Sequence, residues 1–136
     1  MFIKENELVE INVYCKKIKS RYLAVTEKEY KELNDEEKKK YEVLTVKMQE
    51  LSWGLFNQLQ DSAMVTNGDG DQKFNYRIYK ENRLKKLIKE WNAKDSSGKS
   101  ISVNDNMINH LAPSIAETLL KSYDEITYLG EEEEGK

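Results

Sequence analysis

Two stretches of strict alternation do most to limit what this chain can fold into. In residues 8–15, Val9, Ile11, Val13 and Cys15 fall on one face and Glu10, Asn12 and Tyr14 on the other. In residues 41–48, Leu44, Val46 and Met48 share a face, opposite Tyr41, Val43, Thr45 and Lys47. Period two with β-branched residues is the pattern of a half-buried strand. Residues 22–25 offer a shorter extended piece that can pair with the first strand. The intervening link, 16–20, is polar but lacks an Asn-Gly or Asp-Gly turn.

The period then changes. Ser52 can cap a helix running to about Met64, with Trp53, Leu55, Phe56, Leu59 and Ala63 as its apolar set. Residues 76–91 read as the strongest helix, because Leu84, Leu87, Ile88 and Trp91 stand at i, i+3, i+4 and i+7. Ile101 and Val103 suit a short extended piece. Asn104 or Asp105 can cap a short helix through Leu111. Pro113 suits the first turn of a last helix, which uses Ile115, Ala116, Leu119, Leu120 and Tyr123. Between the alternating stretches, Thr26-Glu27-Lys28-Glu29 fits a capping box and Asn34-Asp35-Glu36-Glu37 repeats the signal. Residues 26–40 are therefore two short helical turns or one interrupted helix, lying on the surface.

The expected fold is α+β: a small antiparallel sheet from the N-terminal half packed by helices, and a helix-dominated C-terminal half. The strands at 8–15 and 42–48 share the sheet, which the helix after Ser52 covers. Leu84, Leu87, Ile88 and Trp91 are expected to bury against Ile115, Leu119 and Tyr123. One domain in total accommodates 136 residues. It divides into a strand/helix half (1–65), a linker loop (66–75), a helical half (76–128) and an acidic tail (129–136). Leu, Ile, Val and Phe number 32 and the net charge is only −3, so global disorder is excluded.

The residues offer little catalytic chemistry. A single cysteine, Cys15, rules out an internal disulfide framework and a cysteine-built zinc site, and a single histidine, His110, rules out a His-pair metal motif. Cys15 alternates with apolar residues and reads as a small buried hydrophobe. His110 reads as a capping or core-edge residue. The loop from Asn67 to Asn75 resembles a calcium loop only superficially. Counted from Asn67, positions 6 and 12 are Gln72 and Ile78, where an EF-hand needs Gly and Glu; counted from Asp69, position 12 is Lys80. Gly98-Lys99-Ser100 lacks the earlier glycine of a phosphate loop, since Ala93 stands there. No enzyme activity, cofactor or metal is expected. No apolar run approaches the roughly 20 residues of a membrane helix, and the first residues lack the pattern of a signal peptide.

One local imbalance stands out. Residues 77–89 carry six basic side chains (Arg77, Lys80, Arg83, Lys85, Lys86 and Lys89) against the single acid Glu81. They are the candidate partner-binding residues. The helix can be a solvated face, a protein-binding surface or a nucleic-acid contact. The acidic whole chain argues against nucleic acid, because each phosphate contact would work against its field. Glu131 to Glu134 form the opposite run, read as a solvated tail.

A wider pattern adds a resemblance. A helix ending in Trp91 is followed by a Gly98-Lys99 turn, an extended Ile101-Ser102-Val103-Asn104, and Leu111-Ala112-Pro113 opening a helix to Tyr123-Asp124, before the acidic tail. Upstream, Leu51-Ser52-Trp53-Gly54 follows a strand, with serine where a "Leu-Thr-Trp-Gly" junction has threonine. Over about residues 41–124 this order resembles the tail assembly chaperones of tailed bacteriophages, small proteins encoded near the tail genes. The charged segment before Tyr41 departs from that pattern. The resemblance implies no catalytic residues. It implies binding of the long, aggregation-prone tape-measure protein during tail morphogenesis, in the cytoplasm of the infected bacterium. Self-association is compatible with it. The same features describe a minor virion protein of the tail or neck, or a small inhibitor of a host protein.

Overall fold

The computed structural model describes residues 1–4 and 6–127, so the acidic run at 131–134 lies outside the described residues. The two alternating stretches are strands of one antiparallel sheet. Strand β1 (Leu8–Ile18) pairs on one side with β2 (Arg21–Thr26) and on the other with β3 (Glu42–Gln49). Ile11 stands opposite Val46 and Val13 opposite Leu44. The alternation therefore puts one continuous apolar row across the sheet, as period two requires. The β1–β2 turn is tighter than the sequence suggested. Ile18 pairs with Arg21, leaving Lys19 and Ser20 to reverse the chain, with Lys19 in the left-handed region at φ 58°.

Both capping signals form. Thr26 accepts from the Glu29 N–H and Glu29 accepts from the Thr26 N–H, starting α1 (Glu27–Lys31). Asn34 accepts from the Glu37 N–H and starts α2 (Asp35–Lys38). Neither helix buries a residue. This segment rests on the sheet through rings: Tyr30 stacks on Tyr14 with centroids 3.7 Å apart and meets Tyr41 edge-on.

Helix α3 (Trp53–Ser62) is capped by Ser52, whose hydroxyl accepts from the Leu55 N–H. The presumed linker loop is more ordered than expected. β4 (Met64–Thr66) and β5 (Gln72–Phe74) form a hairpin, and its tip turns at Gly70 with φ 90°. Turn chemistry there is legible in the sequence, but three-residue strands exist only through their pairing.

The helix expected over 76–91 is corrected. α4 runs Tyr76–Leu87, and Ile88–Trp91 is β6, the fourth strand, paired antiparallel with β3. The spacing of Leu84, Leu87, Ile88 and Trp91 satisfies a helix, but Ile88 has turned to extended geometry (ψ 122°). The open edge of β3 supplies the reason: Met48 pairs with Ile88 and Val46 with Trp91, and such long-range pairing overrides a weak local preference. The sheet order is β2-β1-β3-β6. Half-buried Trp91 thus sits on an edge strand across from Val46, not on a helix, and its indole N–H donates to the Ile101 carbonyl at 2.6 Å.

Two helices complete the chain, α5 (Asp105–Asn109), capped by Asn104, and α6 (Pro113–Thr127). The expected cover of the sheet is corrected too. It is α6 that lies across β1 and β2, whereas α3 packs chiefly on α4. The Ser114 hydroxyl donates to the Tyr22 carbonyl on the edge strand β2, and the Tyr123 hydroxyl donates to the Gln49 carbonyl at the end of β3. The core joins Ile11, Val13, Val46 and Met48 to Leu84, Leu87 and Ile88 and to Ile115, Leu119 and Tyr123, with Leu55, Leu59 and Ala63 at its α3 side. Each fully buried aliphatic side chain of this set contributes roughly 1.5–3 kcal/mol. Both sequence halves share this one core. The fold is α+β, as expected.

Candidate functional site

The six basic residues of 77–89 do not form one surface. Arg83 is 2% exposed and belongs to the core. Its guanidinium lies between the rings of Tyr79 and Tyr123, 5.2 and 5.6 Å from their centroids, and pairs with Asp124. Its Nε is buried and finds no hydrogen-bond partner among the described residues. Lys80 reaches Glu117 at 2.7 Å and lies over the Tyr76 ring. Lys85 is held by Glu81 at 2.7 Å, one turn earlier on α4. Beside that lysine, Glu81 is held below the usual carboxylate range, chiefly by the hydrogen bond and then by the charge. Arg77, Lys86 and Lys89 are exposed and form no salt bridge among the described residues, although the charge of Arg77 also helps to hold Glu81 down. Lys89 has left the helix and stands on β6.

A different face draws attention beside them. Between Leu51 and Gly68 the only charged residue is Asp61, in a chain that is 35% charged. Helix α3 turns Leu55, Leu59 and Ala63 inward. That phase leaves Trp53 outside, 76% exposed and stacked on Phe56 with centroids 5.7 Å apart. Trp53 was expected within the apolar set of this helix, and the helix phase corrects that expectation. A Cβ added at the neighbouring Gly54 would meet nothing within 4 Å, so this end of α3 is open. About 15 Å along the helix, the β4–β5 hairpin exposes Met64, Val65 and Phe74, followed by Tyr76 at 60% exposure. The Phe74 ring packs at 5.2 Å from Tyr79 and 6.4 Å from Tyr76.

Between α3 and α4 runs an open groove of about 380 Å³. Leu55 and Leu59 form its floor. Gln58 and Ser62 line it from α3, Asn82, Lys85 and Lys86 from α4, and Asp105 from the start of α5. The Asn82 amide donates to the Ser62 hydroxyl at 2.9 Å, bracing the two helices. Depleted charge, exposed aromatic rings and a neighbouring groove are features of protein-binding surfaces. A second opening, about 300 Å³, lies where α6 passes β1 and α1. Its charges cancel, Lys28 and Lys31 against Glu27 and Glu125.

The remaining candidate groups sit in quiet surroundings. Cys15 is half-buried, and burial and then the Glu42 charge push its thiol up, keeping it protonated. His110 ends α5, where its Nδ1 donates to the Asn106 carbonyl at 2.7 Å. Among the described residues no three His, Cys, Asp or Glu side chains gather as a metal cluster, and no helix is long and apolar enough to cross a membrane. The Asp69–Asp71 loop is a hairpin tip, with the Asp69 side chain accepting from the Asp71 N–H.

Comparison with known proteins finds no matching family model, no matching curated protein and no matching solved structure.

Proposed function

We propose that this protein is a non-enzymatic assembly factor that works by binding another protein, as a tail assembly chaperone of a tailed bacteriophage. It would hold a long helical tape-measure protein soluble in the cytoplasm of the infected bacterium. One observation carries the binding role: an exposed tryptophan, Trp53, on a nearly chargeless helix in an otherwise charge-rich chain. Water-exposed tryptophan adds nothing to the core, while tryptophan in an interface is among the residues that contribute most to affinity. The ordered motifs from residue 41 to residue 124 support the choice of partner. The non-enzymatic reading is supported by the protonated, half-buried Cys15 and by His110, whose ring faces a backbone carbonyl.

The test is co-expression with a tape-measure protein from a tailed phage genome carrying this sequence. The expected result is that the partner stays soluble and co-purifies with the wild type, and that Trp53→Ala loses it while keeping the wild-type circular dichroism. Failure to co-purify with any tail protein, combined with this chain's presence in mature virions by mass spectrometry, would replace the chaperone with a structural component.

A further inference from the structure

We infer that the open flank of β1 beside residues 8–12 takes an extended segment of another protein, with a basic residue facing Glu10. This edge is separate from the Trp53 face and does not depend on it. β1 begins at Leu8, but β2 reaches only to the Val13–Thr26 pair before α1 starts. On that flank residues 8–12 have no strand beside them, while β3 pairs with all of them on the other. The Glu50 N–H donates to the Glu7 carbonyl, which sets the alternation. Backbone groups of odd residues face β3, and those of Leu8, Glu10 and Asn12 face outward. No hydrogen bond to these outward groups is made among the described residues. An unpaired edge of this kind binds extended chain through its backbone. Space is present, because at the Asn12 end the edge opens into the cavity of about 300 Å³ between Ser122 and Ile126 of α6 and Lys28 and Lys31 of α1.

Charge selects the occupant. On the sheet face turned away from α6, Glu90 of β6, Lys47 of β3 and Glu10 of β1 stand in one cross-strand row. The row alternates in sign, with Lys47 4.0 Å from Glu90, and it ends at Glu10 on the open flank. A lysine or arginine next in the row continues the alternation, whereas a glutamate there sets like charges opposite each other. The charges lining the cavity cancel, so Glu10 decides the preference. The residues on either side of the basic one point to the other face, where Ile126 stands 47% exposed, and are apolar. The same rule disfavours a second copy of this chain. A twofold antiparallel pairing that uses all of residues 8–12 centres on Glu10 and sets two glutamates against each other.

Two short synthetic peptides test this, alike except for a central lysine or glutamate between two valines. Amide hydrogen exchange of the full-length protein reads the contact directly: the Glu10 amide should exchange freely in the protein alone and slow when the lysine peptide binds. The lysine peptide should bind about three- to tenfold tighter than the glutamate peptide, the scale of a cross-strand attraction replaced by a repulsion. Glu10→Gln should bring that ratio close to one with circular dichroism unchanged. Equal affinities for the wild type, or a preference that Glu10→Gln leaves alone, would overturn the inference, as would a Glu10 amide that neither peptide slows. A Glu10 amide already protected without peptide would overturn it too, in favour of a segment of the same chain if the protein sediments as a monomer and of a second copy if it sediments as a dimer. If Trp53→Ala still lost the tape-measure protein in any of these cases, the proposed function would stand without this edge.

Discussion

Helices α3 and α4 lie side by side and handle charge in opposite ways. α4 carries five of the six cations that mark the sequence, yet three of these are held by Glu117, Asp124 and Glu81, and one of the three is buried. α3 carries almost no charge and turns its largest side chain to water. A visible charge run is therefore a poor guide to a docking surface when its partners lie elsewhere in the same chain. A gap in charge is the better guide, since interface centres are depleted of charged residues.

The comparison can be broken most sharply at Arg83. If its role is internal, Arg83→Ala should cost about 2–4 kcal/mol, because it empties the buried slot between Tyr79 and Tyr123, while Asp124 stays in contact with water. Lys86→Ala, on the same helix, should stay within about 0.5 kcal/mol. Urea denaturation with an unchanged m-value checks both. Similar costs for the two would show that α4 does not divide into tied and free cations.

The two tryptophans sharpen it next. Trp91→Phe removes the indole N–H donated to Ile101 and leaves a part-buried carbonyl short of that donor, at a cost of about 1 kcal/mol. Trp53→Phe should change stability by less than about 0.5 kcal/mol. A larger loss at Trp53 would place it among the structural residues and remove it from the docking face.

Thr26→Ala tests the charged segment that neither helix explains, and should cost about 1 kcal/mol through the lost cap. The smallest effect concerns its partner Glu29. The Thr26 backbone N–H, more than any other neighbour, holds the Glu29 carboxyl below its ordinary value. A folded pKa below the unfolded one stabilises the fold above the unfolded value, and this is lost as pH falls through the folded value. Glu29→Gln should therefore flatten the acid limb of the stability curve slightly below the ordinary glutamate range. An acid limb that coincides with the wild type would mean that the box contributes nothing by ionisation.

Much of the fold is legible because it is locally encoded. β1 and β3 are written in alternation, α1 in its capping box, and α6 in Pro113 and the spacing of Ile115, Leu119 and Tyr123. What escaped is encoded at a distance. Ile88 and Trp91 satisfy the helical period as well as the strand, and only the edge of β3 decides between them. The same holds for the site. The cations of residues 77–89 can be counted in the sequence, but Glu117 and Asp124, which hold Lys80 and Arg83, lie 37 and 41 residues away. Trp53 fits the apolar period of α3 and yet stands outside, because Leu55, Leu59 and Ala63 set the phase. The signal that could have found it was the single charge between Leu51 and Gly68.

The position of β6 has a consequence for how the chain must be made. Synthesis delivers β1, β2 and β3 early, but β3 keeps one flank unpaired until residues 88–91 leave the ribosome. During that interval Val46 and Met48 border an unclaimed row of backbone donors and acceptors, the kind of template on which nascent chains stick to one another. Cutting the hairpin tip near Gly70 should accordingly yield no self-sufficient N-terminal piece, since the cut leaves the sheet waiting for its last strand.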